Sequence, residues 1–151
     1  MTREQEDSMY LRICKVVAMY SHATRAKVGA VIVKDNNILS FGFNGTPSGM
    51  DNCCEYVDEE GKTKTKKEVL HAESNALMKL TKTGGFGSSG ATMYITLSPC
   101  IDCAKLIIQG DIKRVVYMEK YRDDAGIKLL EECGIKVDHM SEFDLVGAYM
   151  M

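Results

Sequence analysis

The chain has 151 residues, the size of one domain, and reads as a single unit over 1–151. Hydrophobic residues make up 45% and charged residues 26%, an ordinary soluble composition that can bury a core without disulfide staples. Lys plus Arg is 19 against 21 Asp plus Glu, and the net charge of −2 excludes a broad attraction to nucleic acid or membrane. A local basic cluster able to hold one phosphate remains possible.

No apolar run reaches transmembrane length, and the opening "MTREQEDSMYLRICK" is polar, with no apolar signal segment. A cytosolic protein is expected. There the six cysteines stay reduced, which favours metal or catalytic use over disulfides.

"SMYLRICKVVAMYSHA" places Met9, Ile13, Val16, Val17 and Tyr20 at helical spacing, with Ser8 as the expected cap. "KVGAVIVKDNNILSFGFNG" reads as a strand, an Asp-Asn-Asn turn and a second strand. "TPSGMDNCCEYVDEEGKTKTKK" reads as a polar loop with a solvated lysine-rich end. "KEVLHAESNALMKLTKT" returns to helical spacing, and "GGFGSSG", Gly84 to Gly90, is a breaker. "ATMYITLS" is a strand, and "PCIDCAKLIIQG" is a helix with Pro99 near its start and Gly110 after its end. "KRVVYM" is a buried strand, "DDAGIKLLEECG" a helix, "IKVDHM" a last strand, and "SEFDLVGAYMM" adds a short helix. The steps after residue 90 predict parallel pairing, and the first hairpin predicts antiparallel pairing. The expected fold is α/β, three layers α/β/α around a five-stranded mixed sheet.

Four residues carry the chemistry: His71, Glu73, Cys100 and Cys103. Cys100 and Cys103 fall on the first turn of a helix, and their three-residue offset puts both sulfurs on one face. A helix N-terminus also favours the thiolate, the form that ligates metal. His71 opens another helix at "LHAES". One His and two Cys are three zinc ligands, where a closed structural site needs four. The open position admits a water whose pKa zinc lowers towards ~7. Glu73, two residues past His71, can enter the same cleft without ligating the metal and move protons between water and a substrate nitrogen. H-x-E followed by P-C-x-x-C is the signature of zinc nucleobase deaminases. The stretch from Glu73 to Pro99 holds the rest of one helix, a loop and a strand, so two helix starts can meet at one end of the sheet.

Simpler readings exist. A thioredoxin-like redox pair accounts for Cys100 and Cys103 but not for His71 and Glu73. A structural zinc site needs a fourth ligand, with Cys53 or Cys54 as candidates. Cys14 and Cys133 fall on apolar helix faces and read as core thiols, and His22 and His139 as ordinary structural residues. The Asp102 carboxylate between the two cysteines has no evident role beyond a helix start.

Through "KVGAVIV", "GFNGTPSG", "HAESNAL", "ATMYITLSPCIDCAKLIIQGDIKRVVY" and "IKLLEECGIKV", the sequence resembles the deoxycytidylate deaminases of the cytidine/deoxycytidylate deaminase superfamily, above all the phage-encoded members. The resemblance covers nearly the whole chain. It implies a cytidine-deaminase-like fold and hydrolytic deamination of dCMP to dUMP, which feeds dTMP synthesis. It implies that His71, Cys100 and Cys103 hold one catalytic Zn2+ and that Glu73 shuttles protons during attack at C4 of cytosine. The backbone at Ala72 and Ser98 then holds the base edge, and Asn44 contacts the sugar. Arg25 and Lys27, before the first strand, and Tyr121 with Arg122, after a parallel strand, are the candidates for the 5′-phosphate.

The same resemblance implies a homohexamer activated by dCTP, with Mg2+ accompanying it, and inhibited by dTTP. Asn44 and Gly45 in "GFNGTPSG" belong to the implied effector site. A phage-encoded protein would act in the host cytoplasm. Some phage relatives carry a longer insert with a second zinc; here that stretch is short, and Cys53 and Cys54 have no evident histidine partner. A tRNA adenosine deaminase would need a basic surface for its polyanion, against the net charge of −2. A free (deoxy)cytidine deaminase would not need phosphate-binding cations, and a riboflavin-synthesis deaminase would be followed by a reductase domain. A nucleotide-binding sensor without activity would not need Glu73.

Overall fold

Thr2 and Gln5 form a capping box: the Thr2 hydroxyl accepts from the Gln5 backbone N–H, and the Gln5 side chain accepts from the Thr2 N–H. Helix α1 therefore runs Arg3–Ala18. Ser8, expected as the cap, lies inside this helix, buried, and its hydroxyl donates to the Leu145 carbonyl. The polar first turn carries Glu4 and Glu6, which suit a helix N-terminus but show no apolar periodicity. The computed structural model describes residues 1–85 and 87–150. Phe86, in the expected Gly84–Gly90 breaker, and Met151, at the end of the expected last helix, lie outside the described residues.

Strands β1 (Gly29–Lys34) and β2 (Asn37–Phe43) make the expected antiparallel hairpin, and Asp35 and Asn36 take positive φ in its turn. The stretch read as a loop contains a second small hairpin, β3 (Glu55–Val57) with β4 (Thr63–Thr65). Its strands are three residues each, mostly exposed and polar, too short for an alternation to register. Helix α2 is Ala72–Thr83 and does not begin at Lys67 as its spacing suggests. Leu70 is held extended instead, exchanging backbone bonds with Gly45 at 3.0 and 2.8 Å.

The rest follows the expected order: β5 (Thr92–Leu97), α3 (Ile101–Gln109), β6 (Arg114–Glu119), α4 (Ala125–Glu132), β7 (Lys136–His139) and α5 (Glu142–Met150). The sheet order is β2-β1-β5-β6-β7, with β1 antiparallel to both neighbours and β5, β6 and β7 mutually parallel. Alternate residues of each strand face opposite layers. Ala30, Ile32, Met93, Ile95, Val115 and Tyr117 pack under α2, α3 and α4. Val31, Val33, Tyr94, Val116 and Met118 pack under α1 and α5. This is the expected three-layer α/β/α arrangement. Cys14 is a buried core thiol as expected; Cys133 is exposed instead, because α4 ends at Glu132 and the chain leaves the core there. Among the described residues no helix is long and apolar enough to cross a membrane.

An ion pair ties α1 to the sheet. Arg114 donates Nη1 and Nη2 to the two Asp7 oxygens at 2.8 and 2.7 Å, and Nε to Asp138 at 2.8 Å. Tyr94 donates its hydroxyl to Asp7 at 2.7 Å. Burial pushes the Asp7 carboxyl up, but the bonds from Arg114 and Tyr94 and the guanidinium charge outweigh it and hold Asp7 below its usual range.

The register brings four chain ends to one edge of the sheet. Gly29 pairs with Phe43, and Leu97 with Glu119, so the start of β1 and the ends of β2, β5 and β6 lie together. The candidate residues His71, Cys100 and Cys103 sit beyond this edge, where α/β sheets commonly bind ligands.

Candidate active site

Two helix starts meet at that edge. His71 is the N-cap of α2 and Cys100 the N-cap of α3, with Cys103 in its first turn. The start of α2 is pinned against β2. Asn75 donates to the Phe43 carbonyl at 2.8 Å, and the Ser40 hydroxyl donates to the Ala76 carbonyl at 2.7 Å. Gly42 permits this approach, since a Cβ there would lie 2.5 Å from the Ala76 nitrogen. The start of α3 is braced from the other side by Gly126 of α4. A Cβ at Gly126 would collide with the Pro99 carbonyl oxygen and lie 2.8 Å from the Cys100 carbonyl carbon. Gly126→Ala is therefore expected to displace the cysteine loop, costing about 1–3 kcal/mol of stability by overpacking and weakening metal retention. Thermal unfolding and zinc content after dialysis measure both; wild-type values for the two reject this bracing role.

The three ligating atoms converge. His71 Nδ1 lies 3.2 Å from Cys103 Sγ and 3.6 Å from Cys100 Sγ, and all three atoms lie within 4.8 Å of one another. Ligands of a tetrahedral zinc stand roughly 3.5–3.8 Å apart, given Zn–S near 2.3 Å and Zn–N near 2.0 Å. Among the described residues this is the one His/Cys/Asp/Glu group so arranged. Hydrogen bonds from Cys103 and His71 pull the Cys100 thiol down to about 4. Sharing that bond with Cys100, together with burial, pushes Cys103 up. The bond to Cys100 draws the His71 imidazole upward against its burial. Cys100 is thus the sulfur poised as thiolate, and a dication is the natural occupant of two sulfurs and one imidazole nitrogen. A zinc ion fits these residues.

Glu73 sits in the first turn of α2, buried beside the group. Burial pushes its carboxyl up to about 7, against its own backbone N–H, the His71 charge and a bond with Cys103. Glu73, His71 and Cys100 line a cleft of about 270 Å³. Arg25, Asn44, Ala72, Ser98 and Tyr121 line the same cleft, whereas Lys27, Gly45 and Arg122 do not.

The bonds of these residues refine what the sequence offers. Asn44 Oδ1 accepts from the Val28 N–H at 2.9 Å, and its Nδ2 donates to the Ala26 carbonyl at 2.8 Å, so this amide shapes the cleft wall. The buried Ser98 hydroxyl accepts from the Tyr121 N–H at 2.7 Å and ties the β6–α4 loop to the cleft. Sequence reasoning missed Glu55, Thr65 and Val69 on the wall. Glu55 and Thr65 belong to the unread hairpin, and no local pattern marks them.

Residues 4–119 match the family described as "Cytidine and deoxycytidylate deaminase zinc-binding region". The chain is 34% identical to the deoxycytidylate deaminase of Enterobacteria phage T4 over 177 aligned positions, covering 91% of each chain. That span exceeds the 151 residues here, so the T4 protein carries residues without a counterpart. The Homo sapiens deoxycytidylate deaminase is 39% identical over 122 positions, covering 76% of this chain and 65% of that protein. The crystal structure of dCMP deaminase from the cyanophage S-TIM5, in complex with dCMP and dUMP, aligns with a TM-score of 0.84 at 41% identity. It covers 93% of this chain and 99% of the cyanophage chain.

Proposed function

Since the chain belongs to the cytidine and deoxycytidylate deaminase family, we propose that it hydrolyses dCMP to dUMP and ammonia with one zinc ion held by His71, Cys100 and Cys103. The observation that carries this reading is the cleft itself. Metal-ligating residues, a buried carboxylate and an arginine share one wall of nucleotide-scale volume.

When bound, zinc supplies the Lewis acidity that makes water a nucleophile at neutral pH. Glu73 would take one proton from the attacking water and deliver it to N3 of the cytosine ring, then carry the second, from the hydroxyl formed at C4, to the departing amino group, so that ammonia leaves and dUMP keeps the ring proton. The backbone at Ala72 and Ser98 receives the base edge, which presents C4 to the metal side of the cleft. Tyr121, whose backbone is held by Ser98, lines the cleft beside the base, and Asn44 borders the sugar. Arg25 takes the 5′-phosphate, with Lys27 and Arg122 as flanking charges outside the wall.

Control by dCTP (with Mg2+) and dTTP, and a homohexamer, extend the same reading. In support, Gly45 pairs with Leu70, the residue before His71, so a ligand held at Asn44 and Gly45 would press on the metal site through one isolated backbone bridge.

Ammonia release from dCMP, deoxycytidine and a tRNA anticodon stem, measured side by side, tests the proposal. Turnover of dCMP far above the other two is the expected result; turnover of the RNA alone overturns it. In the same assay Arg25→Ala is expected to raise the KM for dCMP about 10-fold to 100-fold, the scale of a lost charge-assisted bond. The KM for deoxycytidine should move far less, and equal shifts would remove Arg25 from the phosphate subsite.

A further inference from the structure

Arg25 is the one lysine or arginine on the wall of the cleft among the described residues. The segment that carries it, between α1 and β1, has no helix or strand of its own to aim the side chain. The aim comes from elsewhere. Glu55 Oε2 accepts from the Thr24 N–H at 2.9 Å and from the Arg25 N–H at 3.3 Å. Arg25 Nη1 donates to the Thr65 hydroxyl at 3.2 Å. Glu55 and Thr65 are direct partners in the β3–β4 register, so one cross-strand pair grips Arg25 by its backbone and by its guanidinium.

The identity of Glu55 is informative. A carboxylate on the wall of a pocket for a phosphate ester repels that ligand, so its charge works against binding. Its hydrogen bonds must therefore contribute more than its charge costs. Burial pushes the Glu55 carboxyl up, but the bonds from Thr24 and Arg25 outweigh that push and hold it below its usual range.

We propose that the Glu55–Thr65 pair is a positioning device that sets the preference for a phosphorylated over an unphosphorylated nucleoside by fixing Arg25 against the cleft. This inference rests on the assignment of Arg25 to the 5′-phosphate. Among the described residues, the hydrogen bonds of the Glu55 and Thr65 side chains go to Thr24 and Arg25, and neither residue belongs to the metal-ligating group.

The test measures the KM for dCMP relative to that for deoxycytidine in the zinc-loaded enzyme. Thr65→Val, which deletes the hydroxyl at nearly constant volume, is expected to raise this ratio about threefold to tenfold, the worth of one hydrogen bond. The change should be carried by KM rather than kcat, and Thr65→Ser should restore the ratio. Glu55→Ala should raise the ratio as well, whereas Glu55→Gln, which keeps an acceptor oxygen without the charge, should largely retain it. An unchanged ratio in both Thr65→Val and Glu55→Ala overturns the inference. So does a lowered ratio in Glu55→Ala, which would mean that relief of repulsion dominates. Arg25→Ala, measured alongside, separates the two failures: if it raises the ratio while the hairpin variants do not, the phosphate assignment stands and only the positioning role falls.

Discussion

Glu73→Gln is expected to lower dCMP turnover by at least about 10²- to 10⁴-fold, the range attached to a positioned general acid–base group, while leaving zinc content near wild type. The two halves of that outcome have separate causes. The ligating atoms come from His71, Cys100 and Cys103, so removing the acidity of Glu73 leaves the metal group intact. Glutamine also preserves the volume of a buried side chain, so no cavity opens beneath α2. What is lost is the ability to accept a proton from water and hand it to nitrogen. Metal analysis and single-turnover kinetics on the same preparation read both halves. Near-normal turnover would take Glu73 out of the mechanism, and loss of zinc would give it a ligand or structural role instead.

Asp7→Asn is expected to destabilise the fold by about 3 kcal/mol, the lower end of the cost of breaking a buried pair, because Asp138 still faces the guanidinium. Arg114 would remain buried with its bidentate partner gone, and the Tyr94 hydroxyl would face a weaker acceptor. Denaturant midpoints measure the loss. The same pair gives the sign of an acid effect. The Asp7 carboxyl is held below its ordinary value in the folded chain. Its contribution is therefore fully present above the unfolded value near pH 4 and fades as pH falls through the lower folded value. Wild type should lose stability over that acidic window, and Asp7→Asn should lose less of it. Identical acid profiles would place the acid sensitivity elsewhere.

Much of the site could be read from the chain because its chemistry sits at helix starts. His71 and Cys100 both prove to be N-caps, and Cys103 lies within a turn of Cys100. The parallel pairing of β5, β6 and β7 and the antiparallel first hairpin followed from the βαβ steps and the Asp-Asn-Asn turn. What escaped had physical reasons. The capping box at Thr2 and Gln5 replaces Ser8 as the start of α1, because caps in a polar segment leave no apolar period to follow. The β3–β4 hairpin is too short and too exposed to show an alternating pattern, yet it supplies Glu55 and Thr65 to the cleft. Lys27 and Arg122, offered with Arg25 and Tyr121 for the 5′-phosphate, are not among the residues that line the cleft.

The proposed deamination is tested most directly by zinc-dependent conversion of dCMP by the purified chain. Removal of metal with a chelator should abolish the release of dUMP and ammonia in equal amounts, and one equivalent of zinc per chain should restore it. A chain that carries zinc at His71, Cys100 and Cys103 and leaves dCMP unchanged would contradict it.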